Sequence, residues 1–214
     1  MTENRRLVIA TTNPHKVEEF RELLADVPFT LLSLSDLGVT QDVAETGETF
    51  EDNAIIKARA YAEETGLLTL ADDSGLEIDA LDGGPGVYSA RWAGDDVTYD
   101  VRNRMLVERL AGLPDAQRGA RYRCAIAIAL PPPRGLVGVV DGVFEGRIAT
   151  EPVGHSGFGY DPIFYVPEQE RTVGQMTAEE KHRISHRARA ARAAKPLLAL
   201  LASDDGDGGA ERAE

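Results

Sequence analysis

The chain has 214 residues, 43% of them hydrophobic and 28% charged, a composition that predicts an ordinary soluble globular domain with a substantial core. Its formal net charge of −13 argues against nucleic acid as a partner, and an anionic substrate would need a local cluster of cations or a metal ion. No apolar run approaches the roughly 20 residues of a membrane span, residues 1–6 lack the apolar core of a signal peptide, and Cys124 is the single cysteine, so a cytoplasmic protein without a membrane partner is expected.

The first predicted strand, residues 7–12, runs into a helix that begins near Asn13. Asn13 is a favourable N-cap, and Pro14 suits the first helical turn, where its missing N–H costs nothing. Such a start leaves amide N–H groups free beside Lys16, and the spacing Thr-x-Asn-x-x-Lys favours convergence on one anion. The alternative is an ordinary helix start with a solvent-exposed lysine.

A second strand is predicted over residues 29–34, and a helix is predicted between Thr49 and Gly66. Thr49 followed by Asp52 resembles a capping box, and Gly66 is typical of a helix C-terminus. The polar loop before this helix contains Glu45. This side chain is either an ordinary surface charge or a carboxylate that lies near the next strand and shares a metal.

The stretch from Leu67 to Gly75 is the centre of the predicted site. Its apolar run breaks off in Asp72, Asp73 and Ser74, which favours a buried strand that ends at Asp73 and delivers both carboxylates to the edge of a sheet. Neighbouring carboxylates repel each other, so they are tolerated when a cation lies between them or when one acts as a base. The alternative is a turn in which Asp, Ser and Gly serve the backbone.

The middle of the chain predicts further strands and one helix. A half-buried strand is expected over residues 76–81, and a central strand with a packed Cys124 over residues 122–130. A hairpin is expected to join residues 136–140 to 143–148 through Asp141 and Gly142, which makes the sheet mixed. Between these strands, Thr98 should cap a helix whose apolar face carries Val101, Met105, Leu106 and Leu110.

Aromatic residues between glycines occur twice. Tyr88 and Trp92 follow a glycine-rich turn and are either a contact surface for a ligand or second subunit, or anchors in the core. Phe158 and Tyr160 are flanked by Gly157 and Gly159. These glycines permit close approach of a flat ligand on which a ring stacks, although an aromatic residue in a turn is more often structural.

The last part of the chain is basic. Residues 181–195 contain six Lys or Arg residues and no acid, which predicts the local positive field that an anionic substrate needs. Thr177 and Glu180 form a capping box for a short helix, and Ser185 caps a final helix. Pro196 is expected to kink or break that helix. From residue 203 onwards the composition predicts a disordered acidic tail.

These parts match the needs of a nucleotide. A helix N-terminus with a lysine suits phosphate, carboxylates suit Mg²⁺, and an aromatic side chain suits a purine ring. Arg187 can donate to a 6-oxo group but cannot accept from a 6-amino group. No Walker loop or Rossmann fingerprint is present.

Seven motifs, taken in order, resemble those of the Ham1-like inosine triphosphate pyrophosphatase family. The motifs lie at residues 11–16, 45–47, 50–58, 71–75, 84–91, 158–162 and 185–187. The resemblance implies an α/β fold formed by residues 1–202, an elongated two-lobed domain with a long mixed sheet, flanking helices and a central cleft, usually as a homodimer. It also implies Mg²⁺-dependent hydrolysis of ITP, dITP and XTP to the monophosphate and pyrophosphate.

The resemblance also implies a role for individual residues. Substrate-binding positions are Thr11, Thr12, Asn13, Pro14, His15, Lys16, Ser74, Phe158, Gly159, Tyr160, Asp161, Lys181, His186 and Arg187. Those from Thr11 to Lys16 would hold the triphosphate, Lys181 would reach phosphate, and the positions at 158–161 and 186–187 would hold the base. Asp73 would be the proton acceptor and a metal ligand, and Glu45 a second metal carboxylate, although many relatives carry a further Glu where this chain has Ala44.

The expected reaction is in-line attack of water on the α-phosphorus, with Asp73 or a metal-bound water as the base, while Mg²⁺ and Lys16 neutralise charge on the leaving pyrophosphate. Two alternatives stay open at this point. One is a Maf-type pyrophosphatase that acts on other modified nucleotides, and the other is a nucleotide-binding sensor without catalytic activity.

Overall fold

A computed structural model describes residues 5–204, and the rest of the predicted acidic tail lies outside this range. The described helices are α1 (Pro14–Leu23), α2 (Phe50–Thr65), α3 (Tyr99–Arg109), α4 (Ala178–Ile184) and α5 (His186–Asp204). The strands are β1 (Arg6–Ile9), β2 (Thr30–Ser33), β3 (Leu68–Ile78), β4 (Gly119–Leu130), β5 (Gly135–Ile148), β6 (Phe164–Val166) and β7 (Arg171–Thr172). None of these helices is long and apolar enough to cross a membrane.

The strands form one mixed sheet in the order β2-β1-β3-β4-β5-β6-β7. β1 is parallel to both β2 and β3, with Val8 opposite Leu32 on one side and Thr69 on the other. β6 is antiparallel to both β5 and β7. The predicted α/β class with a mixed sheet is therefore confirmed.

The chain divides into two compact units. The first contains the described residues up to Asp72, residues 125–141 and the described residues from Ala190 onwards. The second contains residues 73–124 and 142–189. Three strands and helix α5 each pass from one unit into the other, and the boundary within β3 falls between Asp72 and Asp73.

In the first unit, the helix ends follow the predicted capping signals. Asn13 caps α1 by accepting hydrogen bonds from two backbone N–H groups, and Val17 and Phe20 are buried on its inner face. Thr49 caps α2 by accepting from the backbone N–H of Asp52, and Gly66 ends the helix in the left-handed conformation. These bonds satisfy backbone groups that the helix cannot satisfy itself.

The second unit has a core of aliphatic and aromatic side chains around α3 and the strands. Leu106 of α3 and Leu110, which follows the helix at its C-cap, belong to this core, as predicted. Val101 and Met105 were predicted on the same face but are about 40% exposed. The inner face of α3 instead includes the buried residues Arg102, which donates to backbone carbonyl oxygens, and Asn103, whose Nδ2 donates to the Gly159 carbonyl oxygen.

Strand β3 does not end at Asp73, and this prediction is wrong. β3 continues through Ser74 and Gly75 to Ile78, and the expected strand over residues 76–81 is its second half. In the sheet β3 lies between β1 and β4, and β1 pairs with the first residues of β3, Leu68 to Leu70. The carboxylates therefore project from a central strand.

The predicted hairpin at Asp141 and Gly142 is also wrong. These residues lie inside β5, which runs for 14 residues without reversing. The reversal falls earlier, in the proline-rich segment 131–134 between β4 and β5. Proline supplies no backbone donor for a sheet, so this segment is the better turn.

Helix α5 continues through Pro196. The structure therefore contradicts a break at this proline, which was one of the two expectations. Its buried residues Ala190, Ala194, Leu198 and Ala202 are spaced four apart on both sides of the proline. A continuous apolar stripe therefore holds one helix in place despite the missing donor. The helix includes Ser203 and Asp204, the first two residues of the predicted tail.

Candidate active site

The N-terminus of α1 is pre-organised by its own side chains. Thr11 Oγ1 accepts from the Asn13 backbone N–H at 3.2 Å, and Asn13 Oδ1 accepts from the N–H groups of His15 and Lys16 at 3.0 and 3.4 Å. The expected free amides are therefore partly used by the cap. The partial positive charge of the helix end remains at this position.

A cavity of about 320 Å³ adjoins this helix start in the first unit. Its lining includes Thr11, Thr12 and Pro14 from the predicted phosphate segment, and Arg21 and Ser35 from nearby elements. The hydroxyl groups are suitable donors for phosphate oxygens. The Arg21 guanidinium is paired with Asp36 at 2.7 Å, and Glu18 also lines the cavity.

Lys16 pairs with Asp72 in the same unit. Lys16 Nζ lies 2.9 Å from Asp72 Oδ2, and the exposed fractions of the two side chains are 15% and 0%. A cation beside one carboxylate was one of the two conditions under which adjacent acids are tolerated. The ion pair therefore explains how Asp72 is buried next to Asp73.

Glu45 is held by helix α2. Lys57 Nζ donates to Glu45 Oε1, and Asn53 Oδ1 accepts from the Gly47 backbone N–H at 2.7 Å. Asn53 and Lys57 are four residues apart and therefore share one face of the helix. Lys57 is buried and was not predicted as a site residue. The available signal was a lysine among Ala54, Ala58 and Tyr61 on an apolar helix face.

In the second unit, Ser74 is joined to Arg187. Arg187 Nη2 donates to Ser74 Oγ at 2.9 Å across 113 positions of sequence. Arg187 is buried, and Asp73, next to Ser74, is 6% exposed. The structure thus brings together the predicted base-binding arginine and the strand residue that follows the predicted catalytic carboxylate.

Asp161 is a buried acceptor for three donors. Its Oδ2 accepts from Lys181 Nζ at 2.8 Å and from the Phe158 backbone N–H at 2.9 Å, and its Oδ1 accepts from the Tyr122 hydroxyl at 3.1 Å. A charge-assisted bond to lysine compensates for burial of the carboxylate. Asp161 therefore ties the loop at residues 157–161 to α4 and β4.

Phe158 lies beside two cations. Lys181 Nζ is 4.6 Å from the centre of its ring, and the Arg187 guanidinium carbon is 5.6 Å away. Gly157, before it, has a φ of +74°, and a Cβ there would collide with the Asp161 carboxylate. Glycine is therefore required for the conformation that presents the ring.

Tyr122 connects Asp161 to His186. Its ring stacks on the His186 ring with centroids 4.6 Å apart and planes 15° apart. Burial, reinforced by the Asp161 carboxylate, raises the pKa of the Tyr122 hydroxyl well above its ordinary value. The hydroxyl is therefore a permanent donor at neutral pH. Tyr122 was missed as a site residue, although a tyrosine in an Ala/Ile strand was a usable signal.

The side chain of Tyr160 is part of the core. It is buried, its hydroxyl donates to the Ser89 carbonyl oxygen at 2.8 Å, and its ring meets that of Tyr99 edge to face. Burial raises its pKa, so it too stays a donor. Trp92 also packs against this core, whereas Tyr88 is 60% exposed.

No cluster of three or more His, Cys, Asp or Glu residues that could hold a metal occurs among residues 5–204. The predicted ligands Asp73 and Glu45 belong to the second and first units respectively. Both offer hard carboxylate oxygens, which Mg²⁺ prefers. Because Mg²⁺ commonly takes only one or two carboxylates, with phosphate and water as the other ligands, this donor chemistry fits it.

The fold and these contacts define an α/β protein with a carboxylate-bearing central strand and a buried arginine–aromatic cluster. The chain belongs to the Ham1 family, whose model matches residues 7–197. It is 45% identical to a dITP/XTP pyrophosphatase of Bacillus subtilis, over 91% of this chain and 97% of the relative. A dITP/XTP pyrophosphatase of Desulforamulus reducens is 48% identical, over 92% and 96%. A HAM1 protein from Coxiella burnetii has a solved structure with a TM-score of 0.82 at 43% identity, covering 92% of this chain and 99% of that chain.

Proposed function

We propose that this protein hydrolyses ITP, dITP and XTP to the monophosphate and pyrophosphate with Mg²⁺, thereby removing deaminated purines from the nucleotide pool. Relatives described as dITP/XTP pyrophosphatases align over more than nine-tenths of the chain. The observation that carries the proposal is the buried bond from Arg187 to Ser74, next to Asp73. It supports a base-recognising cation close in space to the strand that carries the proposed general base.

The proposed base site selects a 6-oxo purine. The guanidinium has five donors in a fixed fork and no acceptor, and the bond to Ser74 orients it. It can therefore donate to the O6 of hypoxanthine or xanthine but cannot pair with the amino group of adenine. Phe158 offers a ring for stacking, and the proposed contacts at His186, Gly159, Tyr160 and Asp161 complete the base site.

The proposed phosphate site lies at the start of α1. The backbone and side chains of residues 11–16 would bind phosphate oxygens with help from the helix dipole, and Lys181 would reach phosphate from α4. Lys16 is paired with Asp72, so it is already held near the strand that carries Asp73. A pre-positioned cation costs less to order when the substrate binds.

Asp73 is proposed as the general base. Its carboxylate would accept a proton from the water that attacks the α-phosphorus, in line with the departing pyrophosphate. Lys16 would neutralise charge that develops on the leaving group. Mg²⁺, held by Asp73 and Glu45, would supply a hard cation for the phosphate oxygens. The contact with Lys57 would orient Glu45 for this role.

Release of pyrophosphate from ITP, XTP, ATP and GTP, with and without Mg²⁺, tests the proposal. We expect preference for ITP and XTP over ATP, and at least about a 100-fold loss of turnover in Asp73→Asn, because a positioned general base contributes on this scale. Asp79→Asn, on an exposed carboxylate of the same unit, is the matched control and should keep normal turnover. Unchanged turnover in Asp73→Asn would contradict the assignment.

We further propose that the protein is a cytoplasmic homodimer. Exposed apolar side chains at Tyr88, Val101 and Met105 in the second unit support an association surface. Cys124 is the single cysteine of the chain and is buried, which suits a reducing compartment. Analytical ultracentrifugation should give a dimer mass that falls in Val101→Asp/Met105→Glu, and cell fractionation should recover the protein with cytoplasmic markers.

A further inference from the structure

Asn103 is a buried polar residue on α3, and within the described part of the chain only the nitrogen of its side-chain amide makes a hydrogen bond. Its Nδ2 donates to the Gly159 carbonyl oxygen at 3.1 Å. Its side chain is 2% exposed, and Oδ1 has no hydrogen-bond partner among residues 5–204. A buried acceptor that is left unsatisfied opposes folding. The residue therefore serves the contact to Gly159 rather than stability alone.

That contact reaches the centre of the loop at residues 157–161. Gly159 has a φ of +69°, and a Cβ at this position would lie 3.7 Å from the Tyr99 ring. Tyr99 and Asn103 are four residues apart and share one face of α3. One helix face thus lies beside Gly159 and holds its carbonyl by a hydrogen bond, immediately after Phe158.

The other anchors of this loop act on different residues. Asp161 binds Lys181 and the Phe158 backbone, and Tyr160 binds the Ser89 carbonyl. Only the Asn103 bond, among the hydrogen bonds described for residues 5–204, fixes the Gly159 carbonyl. This peptide unit has the freedom of a glycine and needs an external support.

We infer that Asn103 is a positioning residue for purine recognition. Its hydrogen bond fixes the Gly159 carbonyl and thereby the orientation of the Phe158 ring beside the two cations, Lys181 and Arg187. The inference rests on the proposed function, and Asn103 itself need not touch the substrate. Loss of its donor frees the peptide after Phe158, so ordering of the loop becomes part of the cost of binding a purine. The rate of the chemical step should change less.

The test uses two variants of the full chain. Asn103→Leu removes the amide at similar volume, and Asn103→Asp keeps the shape but places a carboxylate against the Gly159 carbonyl. For each variant we would measure kcat and KM for ITP and ATP with Mg²⁺, the Kd of IMP by calorimetry, and the Tm. We expect a 5- to 10-fold rise in KM for ITP and in Kd for IMP, less than a 2-fold change in kcat, and a smaller ratio of ITP to ATP efficiency. Asn103→Leu should keep a Tm at or above that of the parent.

Leu106→Ala on the same helix is the control, because it creates a cavity in the core but leaves the hydrogen bond from Asn103 to Gly159 in place. It should lower the Tm and leave KM and Kd unchanged. Values of KM and Kd within 2-fold of the parent in a folded Asn103 variant would overturn the inference, and Asn103→Asp decides if Asn103→Leu does not fold. If the parent itself releases no pyrophosphate from ITP, the proposed function fails, and IMP binding alone then tests the role of Asn103.

Discussion

Loss of Lys16 from its ion pair with Asp72 is expected to lower the free energy of unfolding by several kcal/mol. At 2.9 Å and an effective dielectric constant of about 20, the attraction between the charges is about 6 kcal/mol before desolvation is subtracted. Lys16→Met leaves the carboxylate of Asp72 buried without this cation. Loss of one partner of a buried pair typically costs about 3–5 kcal/mol. For a chain of this size, that corresponds to a fall in Tm of about 6–20 °C.

A double-mutant cycle isolates the pair. Asp72→Asn in the Lys16→Met background removes the buried charge, and replacement of a whole buried pair is often close to neutral. We therefore expect the double variant to be more stable than Lys16→Met alone, with a coupling free energy of about 2–4 kcal/mol. Urea unfolding monitored by fluorescence and circular dichroism provides the four free energies of unfolding.

The pair formed by Lys195 and Asp26 provides the control in the same unit. Its atoms are 2.6 Å apart, but the side chains are 31% and 69% exposed. Solvent screens such a pair, so its coupling should stay below about 1 kcal/mol. A coupling between Lys16 and Asp72 no larger than that of this control would refute the claim that the cation stabilises the buried carboxylate.

Three further outcomes are expected. Burial raises the pKa of Tyr122 in the folded protein, whereas an unfolded tyrosine ionises near pH 10. The stability that this difference supplies is therefore present below pH 10 and is lost as the pH rises further, by up to about 1.4 kcal/mol per pH unit. Tyr122→Phe should reduce the fall of Tm with pH between pH 8 and 11. Arg118 is buried and donates to three carbonyl oxygens, so Arg118→Met should lower the free energy of unfolding by at least about 3 kcal/mol. Arg109 is exposed, and Arg109→Met should lower it by less than about 0.5 kcal/mol. Arg187→Ala should narrow the ratio of ITP to ATP efficiency by about 10-fold or more, and Arg187→Lys, which keeps the charge without the fork, should restore little of it; full discrimination in Arg187→Ala would contradict its role at the base.

Local signals in the sequence predicted the helix boundaries well. Asn13, Thr49 and Thr177 cap their helices as expected, because a cap depends on groups within three residues. Gly66 ends α2 for the same kind of local reason. The chemical character of the site was also readable, since the motif residues occur in a specific order.

The two wrong predictions, and the break that was one of the two expectations at Pro196, share one cause. Asp73, the Asp141–Gly142 pair and Pro196 are residue types that favour turns or helix ends locally. In the folded chain they lie within a central strand, a 14-residue strand and a continuous helix. Hydrogen bonds to neighbouring strands and a buried stripe of alanine and leucine outweigh these local preferences, and neither can be read from a short window.

The residues missed by sequence analysis are those whose roles depend on distant partners. Lys57 meets a carboxylate 12 positions away, Tyr122 meets Asp161 across 39 positions, and Asn103 meets Gly159 across 56. The local signals at Lys57 and Tyr122 mark a polar group in an apolar setting, but they do not show which distant partner that group meets.

For this protein, the sequence by itself determined the α/β class, the positions of the helix caps and the identity of the motif residues, because these depend on short-range chemistry and motif order. Only the tertiary structure decided that Asp72 is buried against Lys16 and that Ser74 accepts a bond from Arg187. Burial and pairing of charges are properties of the packed chain. They set the cost of each polar group and therefore select which of the candidate residues can act together.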